Sequence, residues 1–204
     1  MEHHRVQAER PTSCVYLVRH GETAWSLSGR HTGRTDIALT GHGEDQARAL
    51  RPMLATVSFD RVFVSPAGRA RQTCMLAGLG DMAEEEPDLA EWDYGAYEGR
   101  RSIEIRAERS GWSVYRDGCP EGEGPAEVTL RADRLIARLR ALGGSIALFS
   151  HGQIGSSLTV RWIGLPVIEG QHFVLGTAAV GVLGSNPGHA DLPVISAWNL
   201  SASR

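Results

Sequence analysis

Two histidines in this 204-residue chain stand in matching surroundings, Val18-Arg19-His20-Gly21 and Phe149-Ser150-His151-Gly152. Each follows a short apolar, β-branched run, Cys14–Val18 and Ser145–Phe149, of the kind that forms a buried strand. The glycine after each lets the backbone leave the strand sharply and come close to a ligand. A third such run, Arg61–Ser65, is followed by Arg69 in the first turn of an expected helix. Ligands of open α/β sheets bind beyond the carboxyl ends of the strands, so all three ends fall where a site belongs.

These residue types suit phosphoryl transfer. A phosphoryl group in flight carries negative charge on its equatorial oxygens, and its catalysis is mostly positioning and electrostatics. Arg19 and Arg69 offer forked donors to those oxygens. A protonated His151 adds a charge-assisted hydrogen bond, and a neutral His20 attacks phosphorus through a ring nitrogen. That division of labour requires the two histidines to differ in pKa. The leaving alkoxide needs an acid, and Glu91 in Leu89-Ala-Glu91-Trp92-Asp93-Tyr94-Gly95 is the candidate. Flanking aromatics are expected to raise its pKa and keep it protonated near neutrality. Taken singly, these residues leave the plainer alternative open: a histidine after a strand is often structural, Arg69 fits a helix surface, and Glu91 fits a loop.

The elements that must position them alternate along the chain. A helix capped by Thr40 carries Gln46, Ala47, Leu50, Met53 and Leu54 at helical spacing. Others are expected from near Gly68 to Ala77, over Ile103–Arg109, over Ala126–Leu142 with Val128, Leu130, Leu135, Ile136, Leu139 and Leu142 as the apolar stripe, and over Ile154–Trp162. Asp81–Pro87 and Trp112–Gly124 read as loops, and Ala178–Leu183 and Val194–Trp198 as closing strands, in the sheet core rather than at a dimer surface. The alternation argues an α/β sandwich with a largely parallel sheet. Residues 13–204 are expected to form one domain behind a flexible leader, 1–12, with His3 and His4 part of that leader.

Composition narrows the chemistry further. All 21 basic residues are Arg, which excludes Schiff-base chemistry and lysine-dependent phosphate loops. The net charge of −3 gives no reason to expect a nucleic-acid partner or a polybasic membrane anchor, and no apolar run approaches a membrane span. Cys14, Cys74 and Cys119 are odd in number and widely spaced, which suggests neither a disulfide framework nor a zinc ribbon and fits a reducing cytoplasm. No close-spaced His/Asp metal motif is present, so no metal or other cofactor is expected.

At Leu17-Val-Arg19-His20-Gly21-Glu22-Thr23 the chain resembles the histidine phosphatase, or phosphoglycerate mutase-like, superfamily. The resemblance continues in order through Trp25-Ser26, Thr32-Gly33-Arg34-Thr35-Asp36, Leu39-Thr40, Ser65-Pro66, Arg69-Ala70, Thr73, Glu91, Tyr94-Gly95 and Ser150-His151-Gly152. It implies a three-layer α/β/α sandwich of the phosphoglycerate mutase-like type and a metal-independent reaction. His20 would be the phosphorylated nucleophile, Arg19, Arg69 and His151 the phosphate pocket, and Glu91 the proton donor and then the base. Ser26, Thr32, Gly33, Tyr94 and Gly152 match positions near the substrate.

Glu91-Trp-Asp-Tyr-Gly-Ala-Tyr-Glu-Gly99 is most similar to small acid phosphatases and sedoheptulose bisphosphatase, so the expected partner is a small phosphorylated metabolite, with a homodimer possible. Only 59 residues lie between Glu91 and His151, and the long insertion of the mutases is missing, which favours water over a sugar acid as phosphate acceptor. A departure at Gly122-Glu123-Gly124, where the family commonly has Gly-Glu-Ser, removes a hydroxyl. Arg100, Arg101 or Arg116 is expected to tune substrate choice by meeting a second anionic group. The rivals are a cofactor-dependent phosphoglycerate mutase and a non-catalytic phosphate-binding module.

Overall fold

The computed structural model describes residues 13–202; the leader reading of 1–12 lies outside the described residues. In chain order the elements are β1 (Ser13–Arg19), α1 (Ala24–Ser28), α2 (Gly41–Leu54), β2 (Arg61–Val64), α3 (Gly68–Leu76), β3 (Ala83–Glu85), α4 (Ser102–Glu108), α5 (Val114–Asp117), α6 (Pro125–Leu142), β4 (Gly144–Ser150), α7 (Gly152–Trp162), β5 (Val180–Asn186) and β6 (His189–Leu200). The strands form one six-stranded sheet in the order β3-β2-β4-β1-β5-β6. Neighbours among β3, β2, β4 and β1 run parallel, while β5 pairs antiparallel with both β1 and β6.

Period-two alternation splits the sheet into two buried faces. Val15, Leu17, Phe63, Ile146 and Leu148 pack with Val128, Leu135 and Leu139 of α6 and Ile154 and Leu158 of α7. Val18, Val62, Val64, Ala147 and Phe149 pack with Leu50 and Leu54 of α2 and Ala70 and Cys74 of α3. Helices therefore cover both faces, the three-layer architecture expected of the sequence. No helix among the described residues is long and apolar enough to cross a membrane.

Register is what positions the site. Arg19 lies opposite Ser150, and Phe149 opposite both Val18 and Val64. The ladder runs one residue further: His20 N–H donates to Ser150 O (2.9 Å) and Ser65 N–H to Phe149 O (2.9 Å). The three strands thus end at one level, and His20, Ser65 and His151 emerge side by side.

Three expectations need correction. Within Asp81–Pro87, Ala83–Glu85 is an edge strand beside β2 rather than a loop. Its acidic side chains stay in solvent and pair with Arg61 and Arg71, and a short, charged edge resists pairing with other chains. Trp112–Gly124 contains the helical turn α5, braced by Ser113 N–H donating to Asp117 Oδ2 (2.8 Å). On α6, Leu130 and Leu142 are exposed, and Ala132 supplies the buried contact instead, since the helix is covered on one stripe only. The closing strands are core on the β5 side: Ala179, Val180 and Leu183 are buried, with Ile195 and Trp198 half-buried against them.

Candidate active site

His20 is buried at the end of β1, and its Nδ1–H donates to the carbonyl of Gly21 (2.7 Å). A carbonyl only accepts, so this bond fixes the tautomer and leaves the lone pair of neutral His20 on Nε2. Gly21 N–H donates to Thr73 Oγ1 (3.0 Å), whose hydroxyl donates to Arg69 O (2.8 Å), so the turn is tied to α3. A Cβ on Gly21 would overlap the backbone carbonyl of Gly43 in α2. Gly21→Ala is therefore expected to displace the His20 turn. We expect a loss of about 1–3 kcal/mol in urea unfolding, together with a loss of turnover larger than the unfolded fraction explains.

His151 faces His20 with ring centroids 5.2 Å apart. Its Nε2 bonds to Ser65 Oγ (2.7 Å), which also accepts the Ala67 N–H (3.3 Å). The Ser65 hydroxyl can donate to Nε2 or accept from it, so this bond accommodates both neutral tautomers of His151. Arg69 is held by three carbonyls, with Nη1 donating to Thr35 O and Nη2 to Thr32 O and Gly33 O, all at 3.0 Å. Arg19 donates from Nη1 to Leu175 O (2.6 Å).

Among the described residues, the buried side-chain nitrogens or oxygens without a hydrogen-bond partner are Arg19 Nε, Arg69 Nε and His151 Nδ1. Each belongs to the group the strand ends bring together. A buried polar group without a partner costs about 1–3 kcal/mol, so three in one place, two of them guanidinium N–H donors, mark a pocket shaped for an acceptor-rich ligand.

Glu91 reaches the pocket from the loop after β3. Its Oε1 accepts from Trp92 N–H (2.9 Å) and Ile154 N–H (2.8 Å), and its Oε2 from Gln153 N–H (3.0 Å). Its surroundings are thus backbone donors, including the first turn of α7, rather than the aromatic faces expected. Trp92 turns into the core and donates from Nε1 to Glu123 O (2.8 Å), and Tyr94 stacks on His31 at 4.5 Å. Arg131 of α6 ties the loop down: Nη1 donates to the carbonyls of Asp88 and Ala90, while Nε and Nη2 bridge the Glu123 carboxylate. Local sequence gives no sign of Arg131, because its partners lie up to 43 residues away.

The other expected contact residues divide. Thr32 and Gly33 act through their carbonyls on Arg69, and Glu98 fixes that loop by accepting from Gly33 N–H and Thr35 N–H. Gly152 lies against Arg19, whose Cζ would be 3.4 Å from a Cβ there. Ser26 spends its hydroxyl in the capping box of α1 with Thr23. Tyr94 is buried in the core cluster with its ring against Gly33, close enough to Glu91 and Arg19 for their charges to act on its hydroxyl. Beside the group that the strand ends bring together lies a cavity of about 410 Å³, lined in part by Gly33, which accepts from Arg69, by Ser65, which bonds to His151, and by Glu91.

Burial, reinforced by the Arg19 and Arg69 guanidiniums, holds His20 well below the ordinary 6.5. The same influences hold His151 well below it. The expected split between the two histidines is therefore not present in the ligand-free site: burial first, and then the same two guanidiniums, push both toward the neutral form. Burial and Arg106 likewise lower His31 to about 4. In the unfolded chain all three take up protons near 6.5, so below that pH the unfolded state binds more protons and stability falls as pH drops. We expect Tm to decline from pH 7 to pH 5 and inorganic phosphate to reduce the decline; a Tm flat over that range would contradict the neutral pair.

Comparison with known proteins agrees with this geometry. Residues 15–200 match the model of the histidine phosphatase superfamily (branch 1). The chain is 42% identical over 185 residues to a Mycobacterium tuberculosis protein named acid phosphatase, a match covering 89% of this chain and 91% of that protein. It is 36% identical over 187 residues to sedoheptulose 1,7-bisphosphatase of Saccharomyces cerevisiae, covering 76% and 68%. The solved structure of a Mycobacterium tuberculosis open reading frame superposes with a TM-score of 0.87 at 37% identity, covering 94% of this chain and 99% of that one.

Proposed function

The chain belongs to the histidine phosphatase superfamily (branch 1), and from that premise we propose that it hydrolyses small phosphate monoesters, sugar phosphates among them, through a phosphohistidine on His20 and without a metal. The observation that carries this reading is the set of three nitrogens without a partner among the described residues, the donors Arg19 Nε and Arg69 Nε and the ring nitrogen Nδ1 of His151, around a histidine whose lone pair is on Nε2. They match the acceptor-rich equatorial oxygens of a phosphoryl group, and two permanent cations supply the charge that a metal supplies elsewhere.

In this mechanism His20 Nε2 attacks phosphorus, and the bond from phosphorus to the ester oxygen breaks. That oxygen takes a proton from Glu91. Water then attacks phospho-His20, Glu91 takes the water proton, and inorganic phosphate leaves with His20 restored. An arriving phosphate brings negative charge beside His151 and opposes the pull of the two arginines, so His151 is protonated only with substrate bound. The acid limb of kcat/KM, set by protonation of free His20, is expected below pH 6.5.

The rival reading is a mutase. Incubation with 3-phosphoglycerate and 2,3-bisphosphoglycerate separates the two: net phosphate release, unchanged by a chelator, is expected here. Rapid isomerisation without release would replace hydrolysis by mutase activity, and no turnover on any phosphate ester would leave a binding module.

A further inference from the structure

The sequence points to Arg100, Arg101 and Arg116 as readers of a second anionic group. The structure commits all three elsewhere. Arg100 pairs with Glu108 and Arg101 with Glu104, while Arg116 pairs with Asp117 and bonds to Gly111 O. None lines the cavity beside the site, whose charged lining is Arg34, Asp36, Glu91, Asp93, Glu123 and Arg131.

The two cations in that lining differ sharply. Arg131 has an 11% exposed side chain that is fully engaged in holding the Glu91 loop. Arg34 has an 84% exposed side chain, and its one partner among the described residues is Asp93, with Nη2 to Oδ2 at 2.8 Å. An ion pair this exposed contributes at most about 1 kcal/mol, so Arg34 changes partner with little loss. Asp93 stays in place when it does, because its Oδ1 accepts the Gly95 N–H and its own N–H donates to Glu123.

In the mechanism above the leaving oxygen takes its proton from Glu91, and Glu91 lines this cavity, so the rest of the ester extends toward it. Of the acids around it, Glu123 is balanced by Arg131, and Asp36 accepts the Gly68 N–H at the start of α3. Asp93 is left as the direct competitor for Arg34. Resting on the phosphatase reading above, we propose that Arg34 is a specificity-determining residue that favours phosphate esters bearing a second phosphate or carboxylate, and that Asp93 sets the strength of that preference by competing for the guanidinium.

The test compares kcat/KM for fructose 1,6-bisphosphate with that for fructose 6-phosphate. Arg34→Gln removes a charge-assisted contact to the second phosphate and is expected to lower the ratio about tenfold. Asp93→Asn keeps the Oδ1 acceptor for Gly95 but removes the competing charge, and is expected to raise the ratio several-fold. Both variants break the same ion pair, so a mere loop-bracing role would move the ratio in one direction for both. A shared direction, or no movement in either, overturns the proposal. Failure of the unaltered protein to release phosphate from any ester, p-nitrophenyl phosphate included, overturns the phosphatase reading instead.

Discussion

His20→Ala is expected to lower turnover of every phosphate ester by at least about four orders of magnitude, the scale seen when a catalytic nucleophile is removed. The same variant should take up no acid-labile phosphate from labelled substrate. The second measurement is the sharper one, because two histidines stand with ring centroids 5.2 Å apart and activity alone does not separate them. Their bonding does. His20 gives its Nδ1 proton to Gly21 O and keeps a lone pair on Nε2, whereas His151 has its Nε2 tied to Ser65 Oγ. His151→Gln should therefore slow labelling without abolishing it, with the label still on His20. Full labelling of His20→Ala would reject the mechanism, and labelling that disappears only with His151 would exchange the two roles.

The parts of this site that were legible in sequence are those fixed by local chemistry. A strand, a histidine and a glycine can be read within a few residues, and the sheet register then brings His20, Ser65 and His151 to one level. The same holds for Thr40, which caps α2 through its hydroxyl. What sequence did not give are pairings made across the fold. Arg131 serves the Glu91 loop from the middle of a helix whose pattern shows only an exposed charge, and Arg34 meets Asp93 across 59 positions. Arg101 differs from Arg34 in place rather than in pairing: it meets a carboxylate three residues away and does not line the cavity, and composition distinguishes neither circumstance. The edge strand Ala83–Glu85 was hidden by its acids, since a strand with one covered neighbour needs no apolar pattern on its outer side. The surroundings of the reacting groups also come from across the fold: burial, with Arg69 from α3 beside Arg19, lowers both histidines, and Glu91 meets the backbone N–H groups of Gln153 and Ile154 as well as that of Trp92 rather than aromatic faces.

Glu91→Gln carries the second large effect, and its size depends on the leaving group. Loss of a positioned acid is expected to slow alkyl phosphates such as fructose 6-phosphate by about 10²–10⁴-fold. p-Nitrophenolate leaves with little protonation, so formation of phospho-His20 from p-nitrophenyl phosphate should be far less affected. Its hydrolysis, however, still needs Glu91 as base. The variant is therefore expected to show a burst of one equivalent of p-nitrophenol, followed by slow turnover and accumulation of acid-labile phosphate. A structural effect accompanies this. Both Glu91 oxygens accept backbone N–H bonds, and an amide can keep Oε1 for Trp92 and Ile154 only by turning its NH₂ toward Gln153 N–H. Two donors then face each other at a buried site, at about 1–3 kcal/mol, and a lower Tm is expected. Destabilisation alone would lower all substrates together and produce no burst. Equal slowing of both esters with no phospho-His20 would thus leave Glu91 as a clamp on α7 and send the search for the acid elsewhere along the cavity. A leaving-group dependence with a burst would assign both proton transfers to this one carboxyl.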